Sequence, residues 1–267
     1  MSTSEAEAGT VKDRPPVAVS RRGDALWARI ERPRQGNACN SAVMEGLETW
    51  LAAAVAEGSL KALVLTGSGG VFCAGADMKE GAALLGDEAA AEAYVRRGRD
   101  LVETLASAPL PTIAAVNGVA LAGGFELVLA ADFAVAARSA RLGDGHVAHG
   151  VVPGWGSTAR LPRLVGAREA TLLLLTGETR SADEMLELGV LTAVADDDRL
   201  EAAVEDLVDR LATGPAAQRV LELTRNSTRA SLDAALAAEW DALTAHLRDP
   251  ALREGVTRFV DGRETES

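Results

Sequence analysis

Apolar residues in this chain follow two spacings that alternate along most of its length. Short unbroken apolar runs bounded by turn residues predict buried strands, since a buried helix needs a longer stretch. Ala62 to Leu65 and Ile113 to Val116 are such runs, and Asp132 to Ala137 reads as another strand. Val17 to Ser20 and Ala25 to Ile30 flank Arg22-Gly23-Asp24 and predict a β-hairpin. Between strands the spacing widens to three and four. Met44, Leu47, Leu51 and Val55 share one helix face, with Asn40 or Ser41 as the cap and Gly58 as the stop. Glu88 to Leu105 carries a stripe of Tyr94, Leu101 and Leu105, ended by Pro109 and Pro111. After Pro153 helices prevail, at Leu172 to Leu175 and Ala182 to Leu188, with one last short strand at Leu191 to Val194. Two further stripes follow, Leu200-Val204-Leu207-Val208-Leu211 and Leu232-Leu236-Trp240-Leu243-Leu247. The pattern predicts an α/β fold with a β/α core over 15–195 and a helical C-terminal region over 196–267. The polar stretch 1–14 is expected to be a disordered tail.

One stretch breaks the alternation in a way that bears on chemistry. In PTIAAVNGVALAGGFELVLAAD, Pro111 to Asp132, a strand ends at the turn dipeptide Asn117-Gly118 and a second short strand follows. That strand feeds Gly123-Gly124 at the start of an apolar helix holding one carboxylate, Glu126. Unpaired backbone N–H groups at such a helix start form an anion site. A glutamate in the first turn points near the same place.

Composition narrows the choices. Of the 267 residues, 48% are hydrophobic but only 3% aromatic, so Ala, Val and Leu must fill the core. A net charge of −12 argues against a general nucleic-acid binder, which needs a basic surface. The two cysteines, Cys39 and Cys73, have no metal-ligand spacing and suggest a reduced, cytoplasmic setting, with Cys73 as a small buried filler. The first residues lack an apolar signal segment, and no apolar run approaches the roughly 18 residues of a membrane span.

Five stretches, in order and spacing, resemble the crotonase superfamily, also called the enoyl-CoA hydratase/isomerase family. They are ERPRQGNACN (31–40), LVLTGSGGVFCAGADMKE (63–80), PTIAAVNGVALAGGFELVLAADF (111–133), GVVPGWGSTARLPRLVG (150–166) and LREGVTRFVDGR (252–263). The resemblance implies a spiral of β-β-α units with a helical C-terminal trimerisation region, assembled as a trimer or a dimer of trimers. It implies an acyl-CoA thioester as substrate, coenzyme A being part of that substrate, with no metal or separate cofactor. Two backbone N–H groups, carried over onto Ala76 and Gly123, would polarise the thioester carbonyl. Asn37, Ala38, Met78 and Lys79 would line the CoA channel, with Ala74, Asp77, Gly124 and Trp155 in the same substrate-binding set. Asp77 reads equally as a helix-start carboxylate, and Trp155 as either a wall of the acyl pocket or a packed aromatic. Arg258 or Arg263 would reach the CoA phosphates.

Typical hydratases of the family place two glutamates around one water. The first falls on Glu126. The second, seven residues before the proline of the PG pair, falls on His146 in ARLGDGHVAHGVVPGWG. Imidazole near neutrality can take or give a proton, so His146 could share hydration with Glu126. It could instead hold a substrate carboxylate or carbonyl, as in decarboxylation or C–C bond hydrolysis. An aspartate just after the proline, which dienoyl isomerases and aryl dehalogenases carry, is replaced by Gly154. Asp144, two residues before His146, could tune it, but reads more simply as part of a solvated turn; His149 reads as a loop histidine and His246 as a surface residue. The expected activity is hydration of a 2-enoyl-CoA. Its rivals are a decarboxylase or C–C hydrolase built on the same site, or a non-catalytic crotonase-like subunit.

Overall fold

The computed structural model describes residues 15–57 and 59–264, with the side chains of 55, 56, 251, 258 and 262–264 outside that description. The expected tail and the side chains of Arg258 and Arg263 therefore lie outside the described residues. The hairpin forms as read: β1 (Val17–Arg22) pairs antiparallel with β2 (Ala25–Ile30), Val17 opposite Ile30 and Arg22 opposite Ala25. Helix α1 (Ser41–Ala56) is capped by Asn40, whose side chain accepts from the Val43 N–H. From there the chain winds in repeated turns. Each turn lays a strand in a large sheet, then one in a small sheet, then a helix.

The first turn is β3 (Ala62–Gly67), β4 (Val71–Cys73), α2 (Met78–Leu84) and α3 (Glu88–Ala106). The second is β5 (Thr112–Val116), β6 (Val119–Leu121) and α4 (Gly123–Ala130). The third is β7 (Phe133–Ala137), β8 (Arg141–Gly143), α5 (Ser157–Val165) and α6 (Ala167–Thr176). Then come β9 (Arg180–Ser181), α7 (Ala182–Glu187), β10 (Ala193–Ala195) and α8 (Leu200–Arg210), with α9 (Pro215–Ser227), α10 (Leu232–His246) and α11 (Pro250–Glu264) closing the chain. The large sheet runs β1-β2-β3-β5-β7-β10 and the small one β4-β6-β8-β9. Stacking of the turns makes β3, β5, β7 and β10 parallel. This is the spiral of β-β-α turns that the resemblance implies, with helices at the C-terminal end.

The near-continuous apolar runs have a simple cause. Successive side chains of a strand point to opposite faces, and here both faces are covered. Leu63, Leu65, Ala114, Val116, Ala134 and Ala136 join the main core with α1, α3 and α4. Their alternates Ala62, Val64, Ile113, Ala115, Val135 and Ala137 pack under Leu200, Val204, Leu207 and Val208 of α8. The third-turn strand begins one residue later than the apolar run suggests, because the Asp132 carboxylate instead accepts from the Thr112 N–H and hydroxyl. Arg225 of α9 binds that carboxylate and the carbonyls of Ala108 and Leu110, pinning the C-terminal helices to the core. The last strand is displaced to Ala193–Ala195. The apolar stripe of α10 faces outward: Leu232, Leu236, Trp240, Leu243 and Leu247 are all exposed. Among the described residues no helix is long and apolar enough to cross a membrane.

Candidate active site

The loop after β4 and the start of α4 come together through glycine. Gly75, at φ +101°, lies so close to α4 that a Cβ on it would sit 2.8 Å from the Gly123 nitrogen. The Cys39 N–H donates to the Gly75 carbonyl (2.8 Å) and the Asp77 N–H to the Cys39 carbonyl (3.1 Å). This parallel bridge uses groups on either side of Ala76 and leaves Ala76's own N–H outside it. Gly123 opens α4, where the first N–H groups have no intrahelical partner. Neither N–H has an acceptor among the described residues. Ala122, just before, sits at φ 49° and ψ −121°, a conformation that alanine adopts only under strain.

The Gly123-Gly124 pair serves packing as much as ligand approach. A methyl on Gly124 would lie within 2.9 Å of three atoms of Cys73, and one on Gly123 within 2.6 Å of two atoms of the Trp155 indole. Gly124, expected to contact substrate, is thus pressed against β4. Trp155 is 5% exposed and its indole N–H donates to the Val95 carbonyl (3.1 Å), so it is a packed aromatic beneath the helix start.

Glu126 is 1% exposed, far from the surface charge that a first-turn glutamate often is. Its Oε1 accepts from the backbone N–H groups of Trp155 (2.8 Å) and Ser157 (2.9 Å). Its Oε2 is 3.9 Å from His146 Nε2. Burial pushes the Glu126 carboxyl upward, and the Ser157 N–H, the charge of His146 and the Trp155 N–H offset this only in part.

His146 begins a single 3-10 turn, His146–His149, bracketed by Gly145 and Gly150. Its Nδ1 is 2.9 Å from Asp144 Oδ1, which also accepts from the His146 backbone N–H (3.2 Å). Burial opposes the imidazolium, but the hydrogen bond and charge of Asp144 and the charge of Glu126 outweigh it and raise the His146 pKa. For Asp144 burial acts upward, and the bonds and charge of His146 together with the nearby Ser157 hydroxyl hold its carboxyl below the usual range. The solvated turn expected at Asp144 is therefore wrong: the residue is 1% exposed, because the chain turns inward after β8. His149 is exposed, as a loop histidine should be. His246 is half-buried, with Nδ1 3.5 Å from Asp249.

The residues expected along a CoA channel divide. Met78 and Lys79 are exposed on the first turn of α2, and Ala74 is half-buried. Ala38 is buried, and its carbonyl accepts from Arg32 (2.6 Å). Asp77 caps α2, accepting from the Lys79 and Glu80 N–H groups, and pairs with Arg32 at 3.0 Å. Asn37 departs from expectation. It is fully buried, its Oδ1 accepts from the Arg32 N–H (2.9 Å), and its Nδ2 donates to the Ser68 and Val71 carbonyls (3.0 and 2.6 Å). That amide ties two loops together and has no capacity left for a ligand. Cys39 and Cys73 are free and buried, with sulfurs 3.7 Å apart.

Three contributors escaped sequence reasoning. Tyr94, read only as stripe, donates to the Cys39 carbonyl (2.6 Å) and accepts from the Asp77 N–H (3.0 Å), tying one flank of Ala76 to the residue bridged to it. Ser157 supplies an N–H to Glu126, and Ala122 carries the strain. The i, i+2 spacing of Asp144 and His146 was the sequence signal for their contact, since Asp side chains bond backbone two residues on.

A family model described as enoyl-CoA hydratase/isomerase matches residues 25–266. A crotonyl-CoA hydratase of Syntrophomonas wolfei is 34% identical over 240 residues, 88% of this chain and 91% of that protein. A 2,3-dehydroadipyl-CoA hydratase of Escherichia coli is 34% identical over 250 residues, 92% and 96% of the two chains. The crystal structure of an enoyl-CoA hydratase from Bacillus anthracis superposes with a TM-score of 0.87 at 34% identity, covering 92% of this chain and 96% of that one. With the spiral of sheets, the paired N–H groups and a match along almost the whole chain, this protein belongs to the enoyl-CoA hydratase/isomerase family.

Proposed function

We propose that the protein is an enoyl-CoA hydratase, a lyase that adds water across the 2,3-double bond of a 2-enoyl-CoA thioester. The observation that carries this reading is the pairing of Glu126 with His146, 3.9 Å apart. Glu126 stands on the helix that opens with Gly123, whose N–H, like that of Ala76, has no acceptor among the described residues. Glu126 takes a proton from water as the water oxygen bonds to Cβ. The double-bond electrons move to the thioester oxygen, where the Ala76 and Gly123 N–H groups receive the developing charge. Each such fixed donor is worth about 3–4 kcal/mol in a transition state. His146 then gives the Nε2 proton to Cα, and proton return from Glu126 to His146 restores the site. Protons balance, and no group beyond the CoA substrate enters.

Met78, Lys79 and Ala74, flanking the Ala76 loop, are the residues we assign to the CoA channel, a role their exposed or half-buried positions support. The exposed stripe of α10 supports assembly as a trimer or a dimer of trimers, since a lone chain gains nothing from exposing Trp240. Unpaired cysteines 3.7 Å apart suit a reducing, cytoplasmic setting.

The test is to follow loss of the conjugated thioester absorbance with 2-enoyl-CoA esters of graded chain length. No loss at any length, with the protein folded and binding CoA, would sink the proposal. Parallel arms with β-carboxyacyl-CoA esters and cyclic β-diketones, scored by mass spectrometry, detect decarboxylation or C–C hydrolysis instead.

A further inference from the structure

We propose that Asp144 is a positioning residue, holding His146 with the proton on Nδ1 so that Nε2 alone faces Glu126 and the reacting carbon. The inference rests on the hydration reading for its kinetic arm, but not for its geometry.

The turn by itself does not require a carboxylate. Asp144 Oδ1 accepts the His146 backbone N–H at 3.2 Å, which an asparagine would do equally well. Asp144 Oδ2 and Ser157 Oγ are buried without hydrogen-bond partners, although the Ser157 hydroxyl is near enough to favour the Asp144 charge. An asparagine amide in place of Oδ2 would have a donor to offer that hydroxyl. A structural turn would be served as well by the amide, since the Ser157 hydroxyl can accept from it as readily as donate to Oδ2. What only a carboxylate supplies is a charged, acceptor-only partner for an imidazole nitrogen. The 2.9 Å contact to Nδ1 is that interaction.

The consequence reaches the chemistry. Which ring nitrogen of a histidine carries the proton is set by the hydrogen bond made by the other. With Nδ1–H committed to Asp144, neutral His146 has a bare Nε2, and protonated His146 has one transferable proton, aimed at the space before Glu126. Asp144 and protonated His146 together carry no net charge and one mobile proton. That is the proton content of a neutral carboxylic acid. The pair therefore fills the role of the second glutamate of a typical hydratase without changing the charge around the developing enolate.

The experiment has two readouts. In protein labelled with ¹⁵N at its three histidines, with His149→Gln and His246→Gln variants to assign signals, neutral His146 should show the Nδ1–H tautomer. An Nε2–H tautomer would overturn the proposal whether or not the protein hydrates enoyl-CoA. In hydration kinetics, Asp144→Asn should lower kcat about 10²-fold with little change in KM. In a His146→Gln background the same substitution should change kcat less than about twofold, because its effect passes through the ring. An equal loss in both backgrounds would overturn the positioning role. An absence of hydration altogether would fail the functional reading and leave the tautomer result to decide this one.

Discussion

Gly98 offers a test of how the site is braced. It lies in the middle of α3, where replacing glycine by alanine ordinarily gains about 1 kcal/mol from backbone entropy. Here an alanine methyl would lie within 2.6 Å of three atoms of the Trp155 indole. The ring cannot slide away, because its other edge rests on Gly123 and its N–H is held by the Val95 carbonyl. Overpacking of this kind costs about 1–3 kcal/mol, and loss of the indole bond about 1–3 more. Set against the helix gain, these terms leave about 1–5 kcal/mol, and Gly98→Ala should destabilise by about 3 kcal/mol, the middle of that range. At this size that is a fall in Tm of roughly 5–10 °C. Because the Trp155 and Ser157 N–H groups hold Glu126, kcat for hydration should fall about 10- to 100-fold as well. Gly81 in α2 is the control: a methyl there meets nothing closer than 4.0 Å, so Gly81→Ala should keep or raise Tm. Thermal unfolding by circular dichroism at fixed protein concentration, with steady-state hydration, reads both effects. A Gly98→Ala protein as stable and active as Gly81→Ala would refute the wedge.

Other substitutions separate chemistry from scaffold. Glu126→Gln keeps an acceptor for both N–H groups but loses the base, so hydration should drop about 10²- to 10⁴-fold with Tm unchanged or higher. Arg225→Ala strands the Asp132 carboxylate and frees α9, and urea denaturation should show a loss of about 3 kcal/mol. His146 contributes a pH-dependent share of stability. Its folded pKa is raised above the ordinary 6.5, so the share is complete below that pH and fades as pH rises through the raised value. The stability gap between wild type and His146→Gln should therefore be widest on the acid side of neutrality and shrink toward alkaline pH; a gap that grows with pH would contradict the shift.

The spiral was legible because both faces of β3, β5 and β7 are buried, and unbroken apolar runs of four or five residues record that directly. Glu126 and His146 were legible from position, one after a glycine pair and the other before a proline. The spacing of Asp144 to His146 was legible but its burial was not, since an acidic residue between two glycines has the composition of a solvated turn. Asn37 misled for the opposite reason. A polar residue in a loop suggests a ligand contact, whereas its amide is consumed by three backbone partners. The α10 stripe was legible as a stripe, but periodicity states which residues share a face and not what covers it.

Gly145 and Gly150, in the left-handed region at φ 68° and 67°, let the His146–His149 turn swing out of the fold and back, with its last three residues exposed. The donors at Ala76 and Gly123 belong instead to main chain locked by β4 and α4. On the proposed reading, what would polarise a thioester is thus cast in backbone that no side-chain replacement deletes, while the group proposed to direct the proton hangs on a single side chain. Under the proposed hydration, a change at residue 146 or its aspartate would alter proton delivery while the grip on the carbonyl stays the same.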